Sequence, residues 1–273
     1  MKNEPFIMES WSTEQWLARK YWVNEDGTPN LVYLRENYGD AEVPIFDGCD
    51  YSVMKYSQYI DRILSGEVKP SSYLKDWHFQ NSFGTAFYFL HPFMQRDWVN
   101  CEEWSGIGSP FGDDYRFVYH GVQGSWTKLH SDVVVSHSWS ANICGRKQWL
   151  MVPPGKEGLF RATRDDFVED MRARSHLWSE AKVISFIQEP GEIVFVPSNW
   201  YHQVHNISDT ISINHNWINS TNISMVVEFL KQRKIDVKNE IADCSDMFTE
   251  RKFSRIQIRL LQTWTKSNVL FLG

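Results

Sequence analysis

From about residue 115 to residue 217 the apolar residues recur at every second position, in runs too short for ordinary helices. The runs are "YRFVYHG", "WSANIC", "KQWLMVPP", "EIVFVP" and "DTISINHNWI", most of them bounded by Gly, Pro, Asn or Asp. Alternation sends neighbouring side chains to opposite faces of a strand, and the turn residues cut each strand short. Such a succession closes as an antiparallel barrel or sandwich, so the expected class is mainly β with helices before and after it.

The flanks have the other period. "STEQWLARKYW" reads as a helix with Ser12 as N-cap and Gln15 three residues on, as in a capping box. "SVMKYSQYIDRILSG" spaces Val53, Tyr56, Tyr59, Ile60 and Ile63 as one helix face and stops at Gly66, and "SYLKDW" reads as a short strand. "GKEGLFRATRDDFVEDMRARSHLW" interrupts the strands as a surface insertion with some helix. After "NWIN" the chain is helical, in "ISMVVEFLKQRKIDVKNEIADC" and "FSRIQIRLLQTW". No low-complexity linker or repeat divides it. One domain over 1–273 is expected, its barrel about 115–219 and its C-terminal helices about 222–266.

A formal charge of −6 argues against indiscriminate nucleic-acid binding, and Lys231, Arg233 and Lys234 read as a solvated helix face. Cys49, Cys101, Cys144 and Cys244 show no CxxC spacing, which fits a reducing compartment. The N-terminus has no apolar signal core and no run approaches the length of a membrane span, so a protein without a membrane anchor is expected.

The stretch "KLHSDVVV" places His130 and Asp132 two residues apart, on one face if the run is a strand. By itself this fits a turn with a solvated pair equally well. In "FVPSNWYHQVHNI", His202 and His205 are three apart and face opposite ways on a strand, so only one can join the pair. Two His and a carboxylate form the facial triad that suits non-haem Fe(II), with no Cys to favour zinc. His137, His176 and His215 read as ordinary histidines. Lys147 enters an apolar strand and would be costly to bury without an anionic partner, unless it is exposed beside Arg146 in the turn. Ser212, Asn214 and Asn216 share one face of the last strand, opposite Ile211, Ile213 and Trp217. That polar face meets either solvent or a hydrophilic pocket.

The strings "GSWTKLHSDVVVSHSWSANICGRKQWLMVPPGKE" and "PGEIVFVPSNWYHQVHNISDTISINHNW", with "YLKDWHF" and "DDYRFVYHG" upstream, resemble the Jumonji-C family of iron and 2-oxoglutarate-dependent oxygenases. The resemblance implies a double-stranded β-helix, a cupin-like jelly-roll barrel. It implies His130, Asp132 and His202 as the Fe(II) ligands and Lys147 as partner of the distal carboxylate of 2-oxoglutarate, with O2 as the other co-substrate. Asn214, Tyr73 and Thr127 fall at further co-substrate positions. Asn216 is expected to support the site, and Ser140 or Asn142 to complete the pocket. The implied reaction is hydroxylation of a protein side chain, for the nearest subgroup a lysine of a translation termination release factor in the cytoplasm, with a nuclear location as alternative. Histone N-methyl-lysine demethylation and a non-catalytic peptide-binding role are the competing readings. Val227, Leu230, Phe253, Ile256, Leu260 and Trp264 on the C-terminal helices would form a homodimer face or cap the barrel's own core.

Overall fold

The computed structural model describes residues 2–48, 50–101, 114–164, 166–243 and 249–265. Its strands are β1 (Phe6–Met8), β2 (Glu42–Phe46), β3 (Tyr51–Lys55), β4 (Tyr73–Trp77), β5 (Arg116–Gly121), β6 (Trp126–His130), β7 (His137–Cys144), β8 (Lys147–Val152), β9 (Ile184–Gln188), β10 (Ile193–Val196), β11 (Tyr201–Asn206) and β12 (Thr210–Trp217). The helices are α1 (Leu17–Tyr21), α2 (Leu31–Tyr38), α3 (Tyr56–Leu64), α4 (Phe79–Phe83), α5 (Trp178–Ala181), α6 (Ile223–Glu240) and α7 (Glu250–Thr265). Two antiparallel sheets result, an eight-stranded one in the order β1-β10-β7-β12-β5-β4-β2-β3 and a four-stranded one in the order β6-β11-β8-β9. From β5 to β8, and again from β9 to β12, consecutive strands alternate between them, which is the jelly-roll, cupin-like arrangement.

Pairing register sorts the side chains of the large sheet. On β12, Ile211, Ile213, His215 and Trp217 share a face with Trp139, Ala141 and Ile143 of β7 and with Val118 and His120 of β5. That face is covered by the N-terminal segment, in a core containing Trp16, Trp22, Tyr56, Tyr59, Phe79 and Phe87. This core absorbs much of the chain's high aromatic content, with Trp22 stacked on Phe87 at 5.0 Å and Trp139 on His215 at 4.2 Å. Three of its tyrosines are paired at their hydroxyls: Tyr59 donates to the His120 carbonyl (2.9 Å), the Tyr56 hydroxyl meets His120 Nδ1 (2.8 Å), and the Tyr88 hydroxyl meets His215 Nε2 (2.7 Å). The opposite face of the same strands carries Ser138, Ser140 and Asn142 against Asn216, Asn214 and Ser212, and it looks across at the small sheet. Between the sheets Trp149, Met151, Val194, Val196 and Trp200 form an apolar wall.

The outer face of the small sheet is covered by the insertion, through Leu129, Leu150, Val152, Phe160, Met171 and Ala181. The insertion is built of 3-10 turns (Glu157–Phe160, Met171–Leu177) and the single turn α5. Helix α6 sets Val226 and Leu230 against Val99, Val134 and Ile218. Leu230 therefore caps this chain's own fold. Val227, Phe253, Ile256 and Leu260 are half-buried, and the Trp264 side chain lies outside the described residues. Among the described residues no helix is long and apolar enough to cross a membrane.

The departures from sequence periodicity have local causes. Ser12 lies inside a 3-10 turn (Ser10–Thr13) and caps nothing; α1 starts after Trp16. The helical spacing beginning at Val53 is misleading, because residues 51–55 form β3 and the helix starts at Tyr56. Val53 is 65% exposed, so its place in that pattern has no core behind it. Strands β1, β2 and β9 extend the sheets beyond the runs that alternation picked out.

Candidate metal centre

Strands β6 and β11 pair with His202 opposite His130, and the two imidazole centroids are 4.3 Å apart. The next pair is Val204 with Thr127, so a bulge in β6 inserts one residue between them. The bulge returns Thr127, three residues before His130, to the same face. Across β11, Val204 and Asn206 pair with Trp149 and Lys147 of β8, which continues that face to the far end of the sheet.

Asp132 is not on the strand. Strand β6 ends at His130, and Asp132 heads a 3-10 turn, Val133–Val135. Val134 (φ 53°) and Val135 (φ 55°) are left-handed, a conformation that β-branched residues rarely adopt and that costs on the order of 1–3 kcal/mol each. Burial holds them there: Val134 is packed under α6 by Val226 and Leu230. The turn brings the Asp132 carboxylate back to the two imidazoles, and the ligating atoms of His130, Asp132 and His202 all lie within 4.8 Å of one another.

Both carboxylate oxygens of Asp132 are oriented. Ser138 Oγ donates to Oδ2 (2.7 Å) and Asn216 Nδ2 to Oδ1 (2.9 Å), while Asn216 also reaches Ser136 Oγ (3.1 Å). Asn216 thus supports a ligand and is not itself free for a co-substrate. The Lys128 carbonyl receives His130 Nδ1 (2.8 Å), which fixes the tautomer and leaves Nε2 for a metal. Burial, and then the neighbouring His202, push the His130 imidazole down to about 4, so it is a neutral donor at physiological pH. The donor set, two imidazoles and one carboxylate with no thiolate, fits Fe(II). His205 faces the other way, stacked on Trp126 (5.4 Å) with Nε2 3.8 Å from Asp170 Oδ1.

At the other end of the inter-sheet space Lys147 is 2% exposed, whereas Arg146 pairs at the surface with Glu189 (3.2 Å). Lys147 Nζ donates to Ser212 Oγ (3.1 Å) and Tyr73 Oη (3.4 Å), and no carboxylate among the described residues pairs with it. Burial pushes its ammonium down to about 7. Asn214 Nδ2 reaches the same Ser212 Oγ (3.2 Å). Gly121 closes the floor: a Cβ there would come within 2.6 Å of Asn206 Nδ2, Tyr73 Cε2 and Ser125 Oγ. Ser140 lies opposite Asn214 in register, facing the space. Asn142 donates to the Gly145 carbonyl (2.6 Å) and so braces the turn that carries the chain from β7 in one sheet to β8 in the other. Sequence reasoning missed Ser138, and it placed Ser212 on a polar face without giving it a role. The available signal was position, since each continues a polar stripe, Ser138 with Ser140 and Ser212 with Asn214.

Side chains able to hold a metal lie at one end of the jelly roll's inter-sheet space and a buried cation at the other, and comparison with known proteins points to the same site. The family model for "JmjC domain, hydroxylase" matches residues 117–217. "2-oxoglutarate and iron-dependent oxygenase JMJD4" of Danio rerio is 39% identical over 266 residues, covering 89% of this chain and 62% of the relative. Its Homo sapiens namesake is 37% identical over 268 residues (90% and 63%), and "Arginine-specific demethylase JMJ20" of Arabidopsis thaliana is 37% identical over 275 residues (90% and 59%). The chain belongs to the JmjC family, and it spans less than two thirds of the length of these relatives.

Proposed function

We propose that this chain is an Fe(II)- and 2-oxoglutarate-dependent dioxygenase that hydroxylates a protein side chain, specifically a lysine of a translation termination release factor in the cytoplasm. The observation that carries the oxygenase reading is Lys147, a buried ammonium without an anionic partner among the described residues, facing the same inter-sheet space as the His130, Asp132 and His202 cluster. A buried cation is costly unless something neutralises it, and a dicarboxylate co-substrate does so.

Iron held by these residues, together with 2-oxoglutarate and O2, supplies oxidative decarboxylation coupled to insertion of one oxygen atom into an unactivated C–H bond. The chain's own groups do the positioning. Lys147, with Tyr73 and Ser212, binds the distal carboxylate through charge-assisted hydrogen bonds. Asn214, Thr127 and Ser140 flank the co-substrate. Ser138 and Asn216 hold Asp132 in one orientation, and the wall of Trp149, Met151, Val194 and Val196 excludes water. The relative named as an arginine-specific demethylase supports a second reading, the same oxidation directed at an N-methyl carbon.

The test is 2-oxoglutarate turnover after anaerobic loading with Fe(II), offered release-factor and N-methylated histone substrates, with products read by mass spectrometry. Gain of one oxygen on a lysine is expected, and Asp132→Ala abolishes it. Loss of methyl groups without stable oxygen addition would favour demethylation. Absence of 2-oxoglutarate turnover in the iron-loaded protein would overturn the oxygenase reading.

A further inference from the structure

Beside the inter-sheet space, strand β4 contains a second irregularity that the metal and co-substrate sites do not use. Its pairing with β5 jumps from Leu74↔His120 to Trp77↔Val118, so Lys75 and Asp76 together oppose Tyr119. Asp76 has φ 61°, in the left-handed region. Bulges of this kind re-aim side chains near sites. Tyr119 pairs with Ser212, so it lies on the face that looks into the space, and its ring is 5.9 Å from that of Tyr73. Asp76 is therefore turned toward the wall that carries the co-substrate pocket. Lys75, its neighbour, lies within electrostatic reach of His130.

The surroundings of the Asp76 carboxylate are unusual for a half-buried anion. Tyr119 Oη donates to one oxygen (2.8 Å) and the Tyr51 hydroxyl to the other. Among the described residues these two phenols are its hydrogen-bond partners, and no cationic group pairs with it. Two donors leave acceptor sites open on both oxygens. The adjoining surface already accommodates an ammonium: Lys75 Nζ sits 4.0 Å from the Phe46 ring centroid and 5.6 Å from that of Tyr51. Anionic oxygens oriented by phenols, bordered by aromatic faces, are suited to the charged tip of a basic side chain.

We infer that Asp76, oriented by Tyr51 and Tyr119, is the specificity-determining residue that receives the cationic end of the substrate side chain. This rests on the proposed oxygenase function and narrows it. A carboxylate recognises an ammonium through its N–H groups, so unmodified lysine is preferred over trimethyl-lysine, which has none. The site thereby selects hydroxylation of the carbon chain over removal of methyl groups.

The test is equilibrium binding under anaerobic conditions to the protein loaded with Fe(II) and 2-oxoglutarate. The probes are a lysine peptide from a translation termination release factor and copies carrying norleucine or trimethyl-lysine at that position. The wild-type protein is expected to bind the lysine peptide about 10-fold or more tighter than either copy. Asp76→Asn removes the charge while tolerating the left-handed backbone, and is expected to bring the three within about 3-fold of one another. Tyr119→Phe is expected to have a smaller effect in the same direction. Binding of 2-oxoglutarate should be unchanged in Asp76→Asn, which shows that the site is folded. A wild-type protein that fails to distinguish lysine from norleucine, whether it binds both or neither, would overturn the inference, as would an Asp76→Asn variant that keeps the discrimination. Asp76-dependent discrimination without 2-oxoglutarate turnover would instead retain this recognition and remove the oxygenase reading.

Discussion

The two faces of the large sheet are made by the same strands and have opposite characters. On the side of the N-terminal helices, Trp139, Ile211, Ile213 and Trp217 are packed in an aromatic core whose hydroxyls and imidazoles bond one another. On the side of the small sheet, Ser138, Ser140, Asn142, Ser212, Asn214 and Asn216 share the space with a lysine that has no counter-ion among the described residues and a carboxylate poised beside two imidazoles. One face contributes stability through buried aromatic packing. The other holds groups whose partners have to come from outside the chain, and a strand of period two can carry both because neighbouring residues never share a side.

Substitution should separate the faces most clearly. Trp139→Ala empties the aromatic core and is expected to destabilise the protein by about 3–5 kcal/mol, measured by denaturant unfolding. Lys147→Met removes a buried charge and is expected to raise stability by roughly 1–2 kcal/mol. The same variant should raise the 2-oxoglutarate KM by about 100-fold or more, because the distal carboxylate loses its partner. A Lys147→Met protein less stable than wild type would show that the lysine is structural and erase the distinction between the faces.

A smaller effect sharpens the comparison at the strained turn. Leu230→Ala should loosen the packing over Val134 and weaken Fe(II) binding about 10-fold, although Leu230 touches no ligand. Leu34→Ala, in the aromatic core, is the control of similar size. It should reduce stability and leave iron affinity within about 2-fold. Equal iron loss in the two would mean that global stability, and not the turn, sets the affinity.

The smallest effect is a proton. Burial brings the Lys147 ammonium down to about 7, so at higher pH the folded protein has shed that proton while the unfolded chain keeps it up to the ordinary lysine range. Lys147 therefore favours folding increasingly as pH rises above 7, and this contribution is lost as pH falls back through 7. Carboxylate binding restores the charge. At pH 8 2-oxoglutarate binding should take up close to ~1 proton and at pH 6 almost none, as read by calorimetry in buffers of different ionisation enthalpy. Equal uptake at both values would contradict the buried, unpaired state.

How much of this was legible in the sequence depended on how local each determinant is. Alternation located β5, β7, β8, β10 and β12, and the three-residue spacing of His202 and His205 already required opposite faces, as the structure shows. Periodicity left open whether Ser212, Asn214 and Asn216 met solvent or a pocket, because that depends on what covers the other face. The turn at Val133–Val135 was illegible for a stronger reason. Three valines have high strand propensity, and only tertiary packing under α6 holds two of them left-handed. The bulges that re-aim Thr127 and Asp76 likewise arise from pairing between strands distant in sequence, which no single-strand pattern records.

The account depends most directly on which side chains bind the metal. An anaerobic Fe(II) titration of the wild-type protein, His202→Ala and His205→Ala decides it. One equivalent is expected for the wild type and for His205→Ala, whose lost imidazole stacks on Trp126 outside the inter-sheet space, and no tight binding for His202→Ala. Iron lost equally from His205→Ala, or retained by His202→Ala, would contradict the assignment.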